Sequence, residues 1–115
     1  MKTLEPSEAA YCCVEATVAL IGGRWKANIL WSLMEGTHRF SVLRRKGRGV
    51  SQRMLTQQLC ELERHGLVTR KIFPEVPPRV EYTITPLGRS LRPLLEAMHD
   101  WGMKNQKIVS KRMSK

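Results

Sequence analysis

Ser51-Gln52-Arg53-Met54-Leu55-Thr56-Gln57-Gln58-Leu59-Cys60-Glu61-Leu62-Glu63-Arg64-His65-Gly66 carries its own start signal, period and stop signal. Ser51 is a residue type that accepts a hydrogen bond from an orphan amide at a helix start. Leu55, Leu59 and Leu62 then recur at i, i+4 and i+7, and Gly66 stands where the backbone must turn left to stop. The spacing predicts a helix from about 51 to 65. On a wheel of 100° per residue, Arg53, Gln57 and Arg64 lie nearly opposite the leucines, with Thr56 and Cys60 on the flank. A long polar and basic face is therefore turned outward, free to meet something.

Downstream, Leu67–Phe73 and Arg79–Thr85 are rich in β-branched and aromatic residues, and Val80, Tyr82 and Ile84 alternate with Arg79, Glu81 and Thr83. Two antiparallel strands are the natural reading. Their connection, Pro74-Glu75-Val76-Pro77-Pro78, lacks an N–H donor at three of its five positions, so a stiff protruding loop is expected. Thr85-Pro86 is a cap followed by proline at the first helical position. It opens a helix whose Leu87, Leu91, Leu94, Leu95, Met98 and Trp101 form one stripe, with Pro93 as a kink. Upstream, Ser41 is a candidate N-cap for a short helix that ends in the basic turn Lys46-Gly47-Arg48-Gly49. Trp25, Ile29, Leu30 and Leu33 mark a helix closed by Gly36, and Val14, Val18, Leu20 and Ile21 mark a short first core helix that ends at Gly22-Gly23.

The chain has 115 residues, room for one domain and one core that a partner can extend. The expected division is an N-terminal segment over 1–11, a folded unit over 12–103 and a basic tail over 104–115. No apolar run approaches the roughly 18 residues that span a bilayer, and no signal or transit pattern opens the chain, so a cytoplasmic, nucleoid-associated protein without a membrane partner is expected. Twenty Lys and Arg against ten Asp and Glu give a formal charge of +10, which concentrates polyanions around the protein. Lys104, Lys107, Lys111, Arg112 and Lys115 crowd the tail, yet setting them aside still leaves about +5. Nucleic acid is the leading partner. Three cysteines, two of them adjacent, make a poor disulfide framework and fit a reducing compartment.

Three helices ending in the 51–65 segment, followed by a hairpin, is the order of a winged helix-turn-helix, in which the helix before the hairpin enters the major groove. The fold class is mainly α with a small β-hairpin. Gln52, Arg53, Thr56 and Gln57 cluster in the first two turns of that helix, and amides and guanidinium pair bidentately with adenine and guanine edges. They are the candidate base readers. A merely solvated helix face satisfies the same residues; their position between a basic turn and a hairpin favours DNA. Arg44, Arg45, Lys46, Arg48 and the capping Ser51 precede or open the helix, and Arg70, Lys71 and Arg79 lie on the hairpin, so phosphate-gripping groups bracket it from both sides.

Four blocks now stand in order along the chain: Ile21-Gly22-Gly23-Arg24-Trp25-Lys26, Arg39-Phe40, Ser51-Gln52-Arg53-Met54-Leu55-Thr56 and Pro77-Pro78-Arg79-Val80-Glu81-Tyr82. In these the chain resembles the HxlR-type bacterial transcription regulators, over about residues 12 to 103. The resemblance implies a homodimeric winged helix-turn-helix repressor or activator of transcription, not an enzyme and without a cofactor. It implies an inverted-repeat operator in double-stranded DNA, and terminal helices that build the dimer. The stripe already read supplies that seam in Leu91, Leu94, Leu95, Met98 and Trp101. Many members of the family carry a cysteine before the first core helix in a Cys-Pro-Val setting, and some sense oxidants or electrophiles with it. The match falls on Cys12, while Cys13 occupies the proline position, so this chain departs from the pattern with two neighbouring thiols. Cys12 and Cys13 are candidate redox sensors, and a thiol near a helix N-terminus gains reactivity from the dipole. A structural role for them stands beside that reading, as does a small-molecule or oxidant effector. Cys60, in the reading helix, is a further place where oxidation would hinder contact.

Other chemistries lack support. His38, His65 and His99 are isolated, without His-x-x-x-His or Cys-x-x-Cys spacing, so no metal site is expected. No Gly-rich phosphate loop occurs. Trp25 and Trp31 read as core residues, with a small aromatic pocket as the alternative. Fold alone does not separate a DNA regulator from a winged-helix module that binds protein or RNA.

Overall fold

The computed structural model describes residues 6–114, with side chains from residue 12 onward. Among the described residues the element order is α1 (Pro6–Ile21), α2 (Lys26–Leu33), β1 (His38–Arg39), α3 (Phe40–Lys46), α4 (Gln52–Arg64), β2 (Val68–Phe73), β3 (Arg79–Ile84), α5 (Pro86–Arg89), α6 (Arg92–Lys104) and α7 (Gln106–Met113). Mostly helix with one small antiparallel sheet, this is the arrangement expected from the hydrophobic spacing.

The core forms where α2, α3 and α4 meet the sheet. Leu30, Leu33, Leu55, Leu59, Leu62, Leu67 and Val68 are fully enclosed, and each such side chain contributes roughly 1.5–3 kcal/mol through removal from water. Helix α4 starts and stops as its sequence dictates. Ser51 Oγ accepts from the Met54 amide at 3.0 Å. At the other end Gly66 takes φ +75°, while the Leu67 amide bonds to the Leu62 carbonyl at 2.9 Å and the Gly66 amide to the Glu63 carbonyl at 3.0 Å. Paired bonds of this kind close a helix around a left-handed residue, and the flanking Leu62 and Leu67 pack together in the core. The strand that follows is thereby aimed back along α4.

The hairpin pairs Val68 with Ile84 through Phe73 with Arg79. A third strand, absent from the sequence reading, joins it: His38 and Arg39 pair with Tyr82 and Glu81, giving the order β1-β3-β2. This short strand also corrects the start of α3. Ser41 is not the cap; the chain leaves β1 in extended conformation at Arg39 and enters the helix at Phe40 without a side-chain cap.

Two further corrections concern the ends. Helix α1 begins eight residues before Val14, and Val14 and Val18 face solvent at 65% and 60% exposure. Among its described side chains, those of the last turn, Ile21 and Leu20, reach the core. The terminal stripe is divided: Thr85 caps α5 as expected, its hydroxyl accepting from the Gly88 amide and donating to the Gly66 carbonyl. But α5 ends at Arg89 and Pro93 sits in the first turn of a separate α6. Proline is tolerated there because the first-turn amides have no helical partner. Residues 106–113, within the expected basic tail, form the helix α7. None of the described helices is long and apolar enough to cross a membrane.

Candidate nucleic-acid interface

The turn between α3 and α4 sets the site. Arg48 at φ +42° and Gly49 at φ +93° both take left-handed backbone, which reverses the chain within a few residues so that α4 leaves across α3. For Arg48 that conformation costs on the order of 1 kcal/mol. The arginine is held there by the two helices it joins.

The turn of α4 exposes Gln52, Arg53, Thr56 and Gln57 together. Thr56 Oγ1 donates to the Gln52 carbonyl at 2.8 Å, which leaves the hydroxyl oxygen able to accept. Lys26 on α2 holds the helix in place from behind: the residue is only 8% exposed, and its ammonium meets Glu61 Oε2 at 3.0 Å. That hydrogen bond keeps the Glu61 carboxyl below its ordinary pKa, with Lys26, Arg64 and His65 adding charge in the same direction against some desolvation. Sequence reading missed this pair; Lys26 lay inside a quoted block, but nothing local marks a lysine for burial.

Two grooves flank α4. On the wing side Gln52 and Thr56 line a groove of about 570 Å³ together with Arg39, Phe40, Ser41, Arg70, Pro77, Arg79 and Tyr82. Tyr82 lies beneath it, 6% exposed, and burial raises its phenol above the ordinary pKa, against the pull of Arg70. On the other side Gln52 shares a surface with Ser41, Arg44, Arg45, Gly49 and Val50. Arg39 is the site residue the sequence reading left unassigned, although it stands in the Arg39-Phe40 block.

The positive residues divide by what they already touch. Arg44, Arg45, Arg48 and Arg53 are exposed and form no ion pair with any described residue. Lys46 instead meets Glu35 at 3.1 Å and His38 Nε2 at 2.8 Å. Since His38 Nδ1 lies 2.7 Å from the Gly36 carbonyl, the neutral tautomer with hydrogen on Nδ1 fits, accepting from Lys46 at the other nitrogen. Arg70 lies 3.7 Å from Glu63. Arg79 is the most enclosed: it lies over the Phe73 ring at 4.0 Å and between Glu75 at 3.4 Å and Glu81 at 3.3 Å. Lys71 covers the same ring at 4.9 Å. The wing is thus braced by its own cations.

The other candidates fall elsewhere. Cys12 and Cys13 are exposed on α1, but the helix already begins at Pro6, so they stand beyond its first turn and the dipole argument for their reactivity does not hold. Cys60 is exposed on α4. Of the terminal stripe, Leu95 is buried in the protomer's own core and Leu91 packs on it, whereas Leu94, Met98 and Trp101 are exposed. Trp31 stacks on His99 at 5.2 Å and is 37% exposed, which corrects its reading as a core residue; Trp25 does pack on the core.

Comparison with known proteins gives one consistent answer. The model of the HxlR-like helix-turn-helix family matches residues 20–110. YdeP of Bacillus subtilis (strain 168), an uncharacterized HTH-type transcriptional regulator, is 45% identical over 100 residues, covering 87% of this chain and 78% of its own. The solved structure of the redox regulator HypR in its reduced form superposes with a TM-score of 0.80 at 42% identity, over 85% of this chain and 97% of that one. The reduced form of the transcriptional regulator YodB from B. subtilis gives 0.69 at 33% identity, over 87% and 92%.

Proposed function

This chain belongs to the HxlR-like helix-turn-helix family, and from that membership we propose that it acts as a homodimer that binds an inverted-repeat operator and regulates transcription in the cytoplasm. Helix α4 lies in the major groove with Gln52, Arg53, Thr56 and Gln57 on the base edges. Arg44, Arg45, Arg48 and Ser51 grip phosphates on one side, with Lys46 beside them. Arg70, Lys71 and Arg79 shape the wing on the other.

The observation that carries this reading is the division of α4 into a face sealed in the core and an exposed face on which the side chains of Gln52, Arg53 and Gln57 form no hydrogen bond or ion pair with any described residue. Burying such groups without partners costs free energy, so a helix that leaves them outward beside unpaired arginines is complementary to a polyanion that offers donors and acceptors. The exposed Leu94, Met98 and Trp101 of α6 lie outside the protomer's own core and support the dimer seam. Selection of preferred sequences from random duplex DNA tests the proposal. An inverted repeat with half-sites about one helical turn apart is expected; no enrichment, with shallow sequence-blind binding, contradicts it.

Exposed Cys12 and Cys13, together with the likeness to HypR and YodB, support a thiol gate on that binding. Operator affinity before and after mild oxidation should differ for the native chain and converge in Cys12→Ser or Cys13→Ser. Equal affinities in the native chain exclude the gate.

A further inference from the structure

Helix α4 carries one large apolar side chain that its core does not take. Leu55, Leu59 and Leu62 are at most 1% exposed, whereas Met54, in the first turn, is 37% exposed. It is not one of the residues that form the core or pack against it. Its backbone is held by its amide, which donates to Ser51 Oγ at 3.0 Å, and its side chain by Gln58 Nε2, which donates to the thioether sulfur at 3.5 Å. A side chain ordered before binding loses little further freedom on contact. On the helical wheel Gln57 falls between Arg53 and Met54, so the three share the outward half of the first two turns.

Of the groups that base pairs display in the major groove, the thymine C5-methyl is the apolar one; the rest are hydrogen-bond donors and acceptors. A thioether side chain is apolar along its length, with a sulfur that is only a weak acceptor and here already accepts from Gln58, so the thymine methyl is its best match in the groove. We propose that Met54 is a specificity-determining residue that packs on the methyl group of one thymine in each half-site. The inference rests on the DNA-reading role of α4 proposed above.

The test uses the operator recovered from random duplex DNA, with each half-site thymidine replaced in turn by deoxyuridine, which removes the methyl and keeps every hydrogen-bonding group. At one position the native chain should bind about fourfold more weakly per methyl lost, the ratio expected for one buried carbon. Met54→Ala should bind the two duplexes equally, and Met54→Leu should keep the preference. A thermal melt of Met54→Ala unchanged from native shows that the effect is not one of folding. Indifference of the native chain to uracil at every position overturns the inference, as does a half-site without thymine or a Met54→Ala variant that retains the native preference. Failure to recover any preferred sequence overturns the DNA-reading role itself, and is thereby distinguishable.

Discussion

The pairing pattern of the cations makes the salt dependence of DNA binding a sharp test of which arginines touch phosphate. Each phosphate neutralised adds about 0.9 to the slope of log affinity against log salt. Arg44 meets no described carboxylate, so its whole charge is available, twice per dimer. Arg44→Ala should make the slope shallower by about 1.8, which means that between 50 and 200 mM salt the native dimer loses about tenfold more affinity than the variant. Arg79 stands between Glu75 and Glu81 over Phe73, so its charge is already compensated within the wing. Arg79→Ala should leave the slope unchanged within about 0.5 while lowering thermal stability. Glu75→Gln should steepen the slope, because it releases part of the Arg79 charge. Fluorescence anisotropy with one labelled duplex across a salt series reads all three. A slope for Arg79→Ala as shallow as that for Arg44→Ala would refute the assignment.

Two further predictions concern the framework. A Cβ on Gly88 would run into the Leu67 carbonyl oxygen and stand 2.7 Å from Ile84 Cγ1, so Gly88→Ala should overpack the junction of α5 and the hairpin by about 1–3 kcal/mol, lowering Tm by at least about 4 °C at fixed protein concentration. A melting curve identical to native contradicts that packing. The Glu61 carboxyl is held below its ordinary pKa by Lys26, so the stability it confers is fully present above the unfolded value near 4.5 and is lost as pH falls through the lower folded value. Glu61→Gln should therefore be less stable than native at neutral pH, with the gap closing below pH 4.5; a gap constant with pH argues against the ion pair.

What the sequence disclosed was whatever depends on local spacing. The limits of α4, its inward leucines and its polar face follow from Ser51, the leucine period and Gly66, and the hairpin follows from alternation around a proline-rich loop. The third strand was invisible because two residues carry no periodicity, and its pairing with Tyr82 and Glu81 is decided by the fold. The same strand displaced the start of α3 from Ser41 to Phe40. Helix α1 was misplaced because Val14 and Val18 look outward, so an apolar pattern that seemed to belong to the core does not. Within the candidate site, residue types and order were legible, but partnership was not. That Arg79 is enclosed by carboxylates while Arg44 is not, and that Lys26 is buried against Glu61, depends on neighbours distant in sequence. The stripe read as one dimer seam was divided for the same reason, since Leu95 packs into its own protomer.

The central claim is that the outward face of α4 distinguishes base pairs. Affinity of Arg53→Ala and the native chain, compared across a panel of operators each altered at one base pair, tests it most directly. The variant should lose discrimination at one base pair per half-site by about 1–3 kcal/mol and keep it elsewhere. An equal loss of affinity for every duplex, or no loss at all, would contradict it.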